Sequence, residues 1–125
     1  MTWTFKEGAP IYQQIVQTMK IRIANGTYPP GSKIPAVRDL AVEAGVNPNT
    51  MQRALAELER ENLVKSERTS GRFVTQDENE LRILREALGH DFIREMFANM
   101  TQLGMTPEEV VQAVTKWYHT SDPAE

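Results

Sequence analysis

A chain of 125 residues, 40% of them hydrophobic, can fill one compact domain with an appendage but not two large ones. It has no apolar run near the roughly 18–20 residues of a membrane helix, no signal-peptide pattern in its first ten residues, and no Cys for disulfides or thiolate metal sites, so a cytoplasmic protein is expected. The net charge of −3 is uneven: residues 1–76 carry ten Lys or Arg against seven acids, and residues 77–125 carry four against ten.

Met1 to Gly8 reads as an arm in which Trp3 and Phe5 alternate with Thr in an extended pattern. Pro10 then opens a helix at the first-turn position, where its missing N–H costs nothing. Ile11, Ile15 and Met19, with Val16 and Ile23 beside them, give this helix a core-facing stripe as far as Asn25, and Gly26 closes it. Tyr28-Pro29-Pro30-Gly31 is a rigid turn, followed by Lys33 and Pro35.

The stretch from Ile34 to Leu58 organises the chain. Val37, Leu40, Ala41 and Ala44 recur at helical spacing, and Gly45 stands where a helix end favours positive φ. Asn47 is placed to cap a second helix and Pro48 to begin it. Met51, Ala54, Leu55 and Leu58 make that helix's apolar face, leaving Asn49, Thr50, Gln52 and Arg53 off the stripe. Two short helices about a sharp turn make a helix-turn-helix, a motif that lays its second helix in the DNA major groove. A plain helical hairpin in an all-helical domain is the alternative.

Glu59, Arg60 and Glu61 continue the helix as solvated residues, and it stops near Asn62. Strands are expected at Leu63–Ser66 and Arg72–Thr75, joined by a Gly-containing loop. Three helices and a hairpin make a winged helix, with Arg68 and Arg72 at the wing tip, in reach of phosphate or the minor groove. From Asp77, acids head a new helix whose apolar series is Leu81, Leu84, Leu88, Phe92 and Met96, with Ile93, Phe97 and Met100 alongside. Gly89-His90 predicts a bend or break, with Asp91 capping the restart. Thr106-Pro107-Glu108-Glu109 is a capping box ahead of a last helix carrying Val110, Val111, Val114, Trp117 and Tyr118, and Asp122 to Glu125 is expected to fray.

The expected fold is mainly α with a small β-hairpin: a winged helix-turn-helix over residues 1–76 and a two-helix dimerisation domain over 77–125. Two helices cannot bury their own apolar faces. Leu84, Leu88, Phe92, Met96, Phe97, Met100, Val114 and Trp117 are therefore assigned to pairing with a second subunit, because a helix-turn-helix reader usually needs two half-sites. Packing within one chain is the alternative. Met96, Met100 and Met105 read first as core or interface, and second as the wall of a small-molecule effector site between the two tails.

The string PIYQQI…IANGTYPPGSKIPAVRDLA…GVNPNTMQRALAELERENLV…SGRFV resembles the N-terminal domain of the GntR family of bacterial transcription regulators, over roughly residues 8–75. The short two-helix tail resembles the YtrA subfamily. The resemblance implies a homodimeric repressor on a near-palindromic operator, in a subfamily whose members often repress neighbouring genes for ABC-type transporters. It implies that Arg38 meets guanine, that Asn47, Asn49, Thr50 and Gln52 line the head of the recognition helix, that Arg53 touches phosphate, and that Gly71 is the wing glycine; Lys33 is counted with them. Three departures stand out. Ala36 replaces the usual capping Ser; the wing reads Arg68-Thr69-Ser70-Gly71-Arg72, with one Gly fewer and one charge more; and Pro48 stands where some relatives place a base-reading Arg.

No catalytic constellation is present, so an enzyme is not expected, and no cofactor is implied. His90 and His119 lack the third His of metal-binding relatives and read as surface or interface residues. The rival function is a winged helix that binds protein and has no DNA target. Such a module would show apolar anchors where this chain has Arg38, Asn49, Gln52, Arg53 and Arg72.

Overall fold

The protein is described here by a computed structural model covering residues 3–120; the expected fraying from Asp122 onward lies outside the described residues. The elements in order are α1 (Ile11–Ala24), α2 (Val37–Ala44), α3 (Pro48–Arg60), β1 (Val64–Glu67), β2 (Gly71–Val74), α4 (Glu78–Thr101) and α5 (Pro107–Thr120). They form two compact units, Met1–Glu86 and Ala87–Glu125, with the division inside α4.

In the first unit α3 packs on both α1 and α2. The packed surface is the predicted stripe: Ile15, Met19, Leu40, Met51, Ala54, Leu55 and Leu58 are all wholly buried. Each large aliphatic among them contributes roughly 1.5–3 kcal/mol of transfer free energy. Gly45, at φ 72° and ψ 35°, makes the left-handed step between α2 and α3. Without a Cβ it adopts this conformation at no steric cost.

A buried charge fixes α1 to α2. Arg22 is 3% exposed, and its Nη1 donates to the Tyr28 hydroxyl at 2.7 Å and to the Glu43 carboxylate at 3.3 Å. Trp3 from the N-terminal arm stacks on Phe5 and lies 4.5 Å from the Arg22 guanidinium carbon. The arm also exchanges hydrogen bonds with α1: the Lys6 N–H donates to Gln14 Oε1, and Gln14 Nε2 donates back to the Lys6 carbonyl.

β1 and β2 pair antiparallel in the register Val64 with Val74 and Glu67 with Gly71, each strand beginning one residue away from its predicted start. The sequence reading missed a third participant. The Lys33 segment bridges to Phe73, with the Ile34 N–H donating to the Arg72 carbonyl and the Val74 N–H to the Ser32 carbonyl. The wing therefore rests on the chain just ahead of α2.

α4 runs without interruption for 24 residues, so the predicted break at Gly89-His90 does not occur. One helical Gly costs about 1 kcal/mol against Ala, whereas a break would orphan backbone groups at two new ends. Asp91 does not cap a restart; it pairs with Arg94 at 3.2 Å on the surface of the helix. α5 begins as predicted, with Thr106 Oγ1 accepting from the Glu109 N–H and Glu109 Oε1 accepting from the Thr106 N–H. No helix among the described residues is long and apolar enough to cross a membrane.

Candidate nucleic-acid interface

The site is built on the head of α3. Asn47 has extended backbone angles, and its Oδ1 accepts the Asn49 N–H at 2.8 Å, so this side chain caps the helix instead of standing free for DNA. Asn49, Gln52 and Arg53 are exposed beyond the cap, and Thr50 is half-buried. Pro48 has no N–H, and the Asn49, Thr50 and Met51 N–H groups are all engaged by Asn47, so what this turn offers an approaching anion is the positive end of the helix dipole.

Arg38, the second residue of α2, is exposed. Among the described residues it makes no ion pair, and neither do Lys33, Arg53 and Arg68. Four acids of this unit are engaged by other cations: Glu43 by Arg22, Glu57 by Arg60, Glu59 by Arg72, and Glu61 by Lys20. Lys33, Arg38, Arg53 and Arg68, all expected to face DNA, thus keep charges that no acid among the described residues pairs with. Arg53 is also held in place, its guanidinium carbon 3.7 Å from the centre of the Tyr12 ring on α1.

The wing corrects two expectations. Its tip is the turn Arg68-Thr69-Ser70, closed by the Ser70 N–H donating to the Glu67 carbonyl, and Arg72 is not part of it. Arg72 lies within β2 opposite Ser66, and its Nε donates to Glu59 at 2.5 Å. Glu59, expected to be solvated, is instead half-buried beneath the hairpin and also accepts from the Ser66 hydroxyl. Burial pushes the Glu59 carboxyl up, but the Ser66 hydrogen bond and the Arg72 guanidinium outweigh it and hold the group below the ordinary carboxylate value.

Gly71 has φ +109°, and a Cβ there would meet Lys33 Cε at 2.8 Å, so the Lys33 stem lies against the wing backbone. Lys33 and the start of α2 share an open cleft with Thr69, Ser70 and Gly71. Wing tip and α2 head are thus brought together. Tyr12 and Glu59 escaped the sequence reading, because their partners Arg53 and Arg72 are remote in sequence and no periodic pattern joins them.

Residues 11–74, from α1 to the end of β2, match the family described as bacterial regulatory proteins, gntR family. The chain belongs to the gntR family. Members are transcriptional regulators and not enzymes, and the winged helix is their DNA-binding domain. Over 72 residues the chain is 40% identical to the HTH-type transcriptional repressor YtrA of Bacillus subtilis (strain 168), spanning 58% of this chain and 55% of that one. A GntR family transcriptional regulator from Listeria monocytogenes is similar along nearly the whole length: 35% identical, covering 90% of this chain and 98% of that chain, with a TM-score of 0.80. The AraR DNA-binding domain, solved in complex with operator ORX1, aligns at 26% identity and a TM-score of 0.55, over 60% of this chain and 99% of that chain.

Set against this gntR winged helix, the tail is more exposed. Of the eight residues assigned to a subunit interface, Leu84 and Leu88 are already buried within the chain. Met96, Phe97 and Met100 are half-buried, while Phe92, Val114 and Trp117 are exposed, together with Ile93, Val111 and Tyr118.

Proposed function

We propose that this gntR-family chain is a homodimeric repressor that reads a near-palindromic operator, one winged helix to each half-site. The reading is carried by one observation: among the described residues, the four cations Lys33, Arg38, Arg53 and Arg68 are left without ion pairs around an exposed, polar helix N-terminus. Cations free of internal partners are available to phosphates and to base edges. In this reading the head of α3 enters the major groove, where Asn49, Thr50 and Gln52 meet backbone and base edges. Arg38 places its planar fork on guanine O6 and N7, worth about 1–3 kcal/mol of discrimination. Lys33, Arg53 and Arg68 meet phosphates, so affinity falls with rising salt. The likeness to the operator-bound AraR domain supports this mode, and the likeness to the YtrA repressor supports repression.

Dimerisation is supported by the number of large apolar side chains exposed in the second unit, since apolar surface on this scale is more often covered by a partner than left in water. A cleft between paired tails is the place for a small hydrophobic effector.

The test is a gel shift on the DNA just upstream of the protein's own gene, with wild type beside Arg38→Ala at two salt concentrations. Wild type is expected to survive competitor DNA, and Arg38→Ala to lose selectivity. Wild-type binding no tighter than to random DNA, with no effect of Arg38→Ala, would replace this reading with that of a protein-binding module.

A further inference from the structure

We propose that Tyr12 is a positioning residue for DNA binding: its ring, lying outside the helix-turn-helix, holds Arg53 in the orientation in which it meets a phosphate. This deepens the DNA-binding reading and rests on it.

The guanidinium carbon of Arg53 lies 3.7 Å from the Tyr12 ring centroid. At that distance the charge sits against the negative face of the ring, which attracts it electrostatically. Stacking uses the face of the guanidinium and leaves its in-plane N–H groups free, and those are the groups that fork onto a phosphate. An ammonium at the same place has no plane to stack and no fork to present.

The neighbouring charges explain why the stack has no competitor. Further along α3, Arg60 is committed to Glu57, through Nε at 3.1 Å and Nη2 at 2.6 Å to the same oxygen. Glu61 is committed to Lys20 at 2.8 Å. Both acids near this seam of α1 and α3 are occupied, so neither draws Arg53 away from the ring. The exposed Arg would otherwise sample many rotamers, and ordering one such side chain on binding lowers affinity by roughly 2- to 10-fold. Tyr12 supplies that ordering before DNA arrives.

The experiment measures operator affinity against salt for wild type, Arg53→Ala, Arg53→Lys, Tyr12→Leu and the Tyr12→Leu/Arg53→Ala double variant of the full chain. Arg53→Ala should weaken binding and flatten the salt dependence by about 0.9 for each phosphate it no longer neutralises. Tyr12→Leu should weaken binding roughly 2- to 10-fold per half-site in wild type, yet do nothing further in the Arg53→Ala background. Arg53→Lys, a surface change that leaves the core alone, should keep the salt dependence because it keeps the charge, yet bind more weakly than wild type because it lacks the planar fork that the ring orients. If Tyr12→Leu costs as much in the Arg53→Ala background as in wild type, or if Arg53→Lys binds like wild type, the positioning role is overturned. Failure of wild type to select the operator fragment would instead remove the DNA-binding reading itself.

Discussion

The Arg72 guanidinium sits on the Glu59 carboxylate, Nε to Oε1 at 2.5 Å, and ties strand β2 of the wing to the last turn of the recognition helix. The same carboxylate oxygen accepts from Ser66 on β1, so one acid holds both strands of the hairpin. Its pKa is lowered from an ordinary value of 4.5, which makes the contribution pH-dependent in a defined direction. A carboxyl depressed by folding stabilises fully above the ordinary value, and the stabilisation is lost as pH falls through the depressed one. Glu59→Gln should therefore lower stability by roughly 1 kcal/mol near neutral pH, the scale of a partly exposed pair. The gap from wild type should close below pH 4.5. Thermal melts of both proteins across that range check it; an equal gap at all pH values would place the stabilisation elsewhere.

Ala36 offers the opposite kind of change. It occupies the N-cap of α2 with extended angles, φ −64° and ψ 154°, but has no side chain to accept a hydrogen bond from the first turn. The backbone is already arranged for a cap, and only the oxygen is missing. Ala36→Ser should stabilise the fold by about 1 kcal/mol and raise the melting temperature by several degrees. A melt of unchanged midpoint would mean that this first turn is already satisfied by water.

Where the sequence was legible, the signal was local. The stripe Met51, Ala54, Leu55 and Leu58, the Gly45 step, the Asn47 cap and the Thr106–Glu109 capping box are each set within a few residues, and each is found as read. What escaped was non-local. Arg72 looked like a free cation at a wing tip, because nothing in its own neighbourhood reveals that Glu59 lies beneath it. Lys33 was grouped with the DNA-facing residues, but its bridge to Phe73 depends on where the hairpin folds back. Gly89 misled in the other direction: a helix-weakening residue was read as a helix-breaking one, and its neighbours carried the helix through.

Gly71 tests the wing from the backbone side. Its φ of +109° lies outside the range that side-chain-bearing residues adopt easily, and its missing Cβ leaves room for the Lys33 stem. Lys33 is flexible and can move aside, so strain at φ dominates the cost of Gly71→Ala, on the order of 1–3 kcal/mol. Because α1, α2 and α3 do not depend on this turn, circular dichroism should keep its helical signal while the melt shifts down. Operator affinity should fall as well, since both Lys33 and the wing tip are displaced. Unchanged stability would show that the turn relaxes to a conformation open to Ala.

Trp117 is 64% exposed on α5, and Phe92 and Val114 are 51% and 41% exposed, a large apolar area to leave in water. Large aromatics of this kind carry most of the binding free energy at protein interfaces, and a charge introduced there is costly when a partner must cover it. Under the dimer proposal, Trp117→Glu should turn a light-scattering mass near twice the 14.2 kDa of one chain into that of one chain. The helical signal should be kept, because the side chain contributes little to the monomer's own core. Operator binding should drop sharply, since each winged helix alone engages only a half-site. Leu88→Glu provides the contrast: this residue is already buried within the chain, so its variant should lose folding rather than dimerisation alone. If wild type itself runs as a single chain at micromolar concentration and Trp117→Glu changes nothing, the exposed face serves a different partner, and repression by a homodimer falls with it.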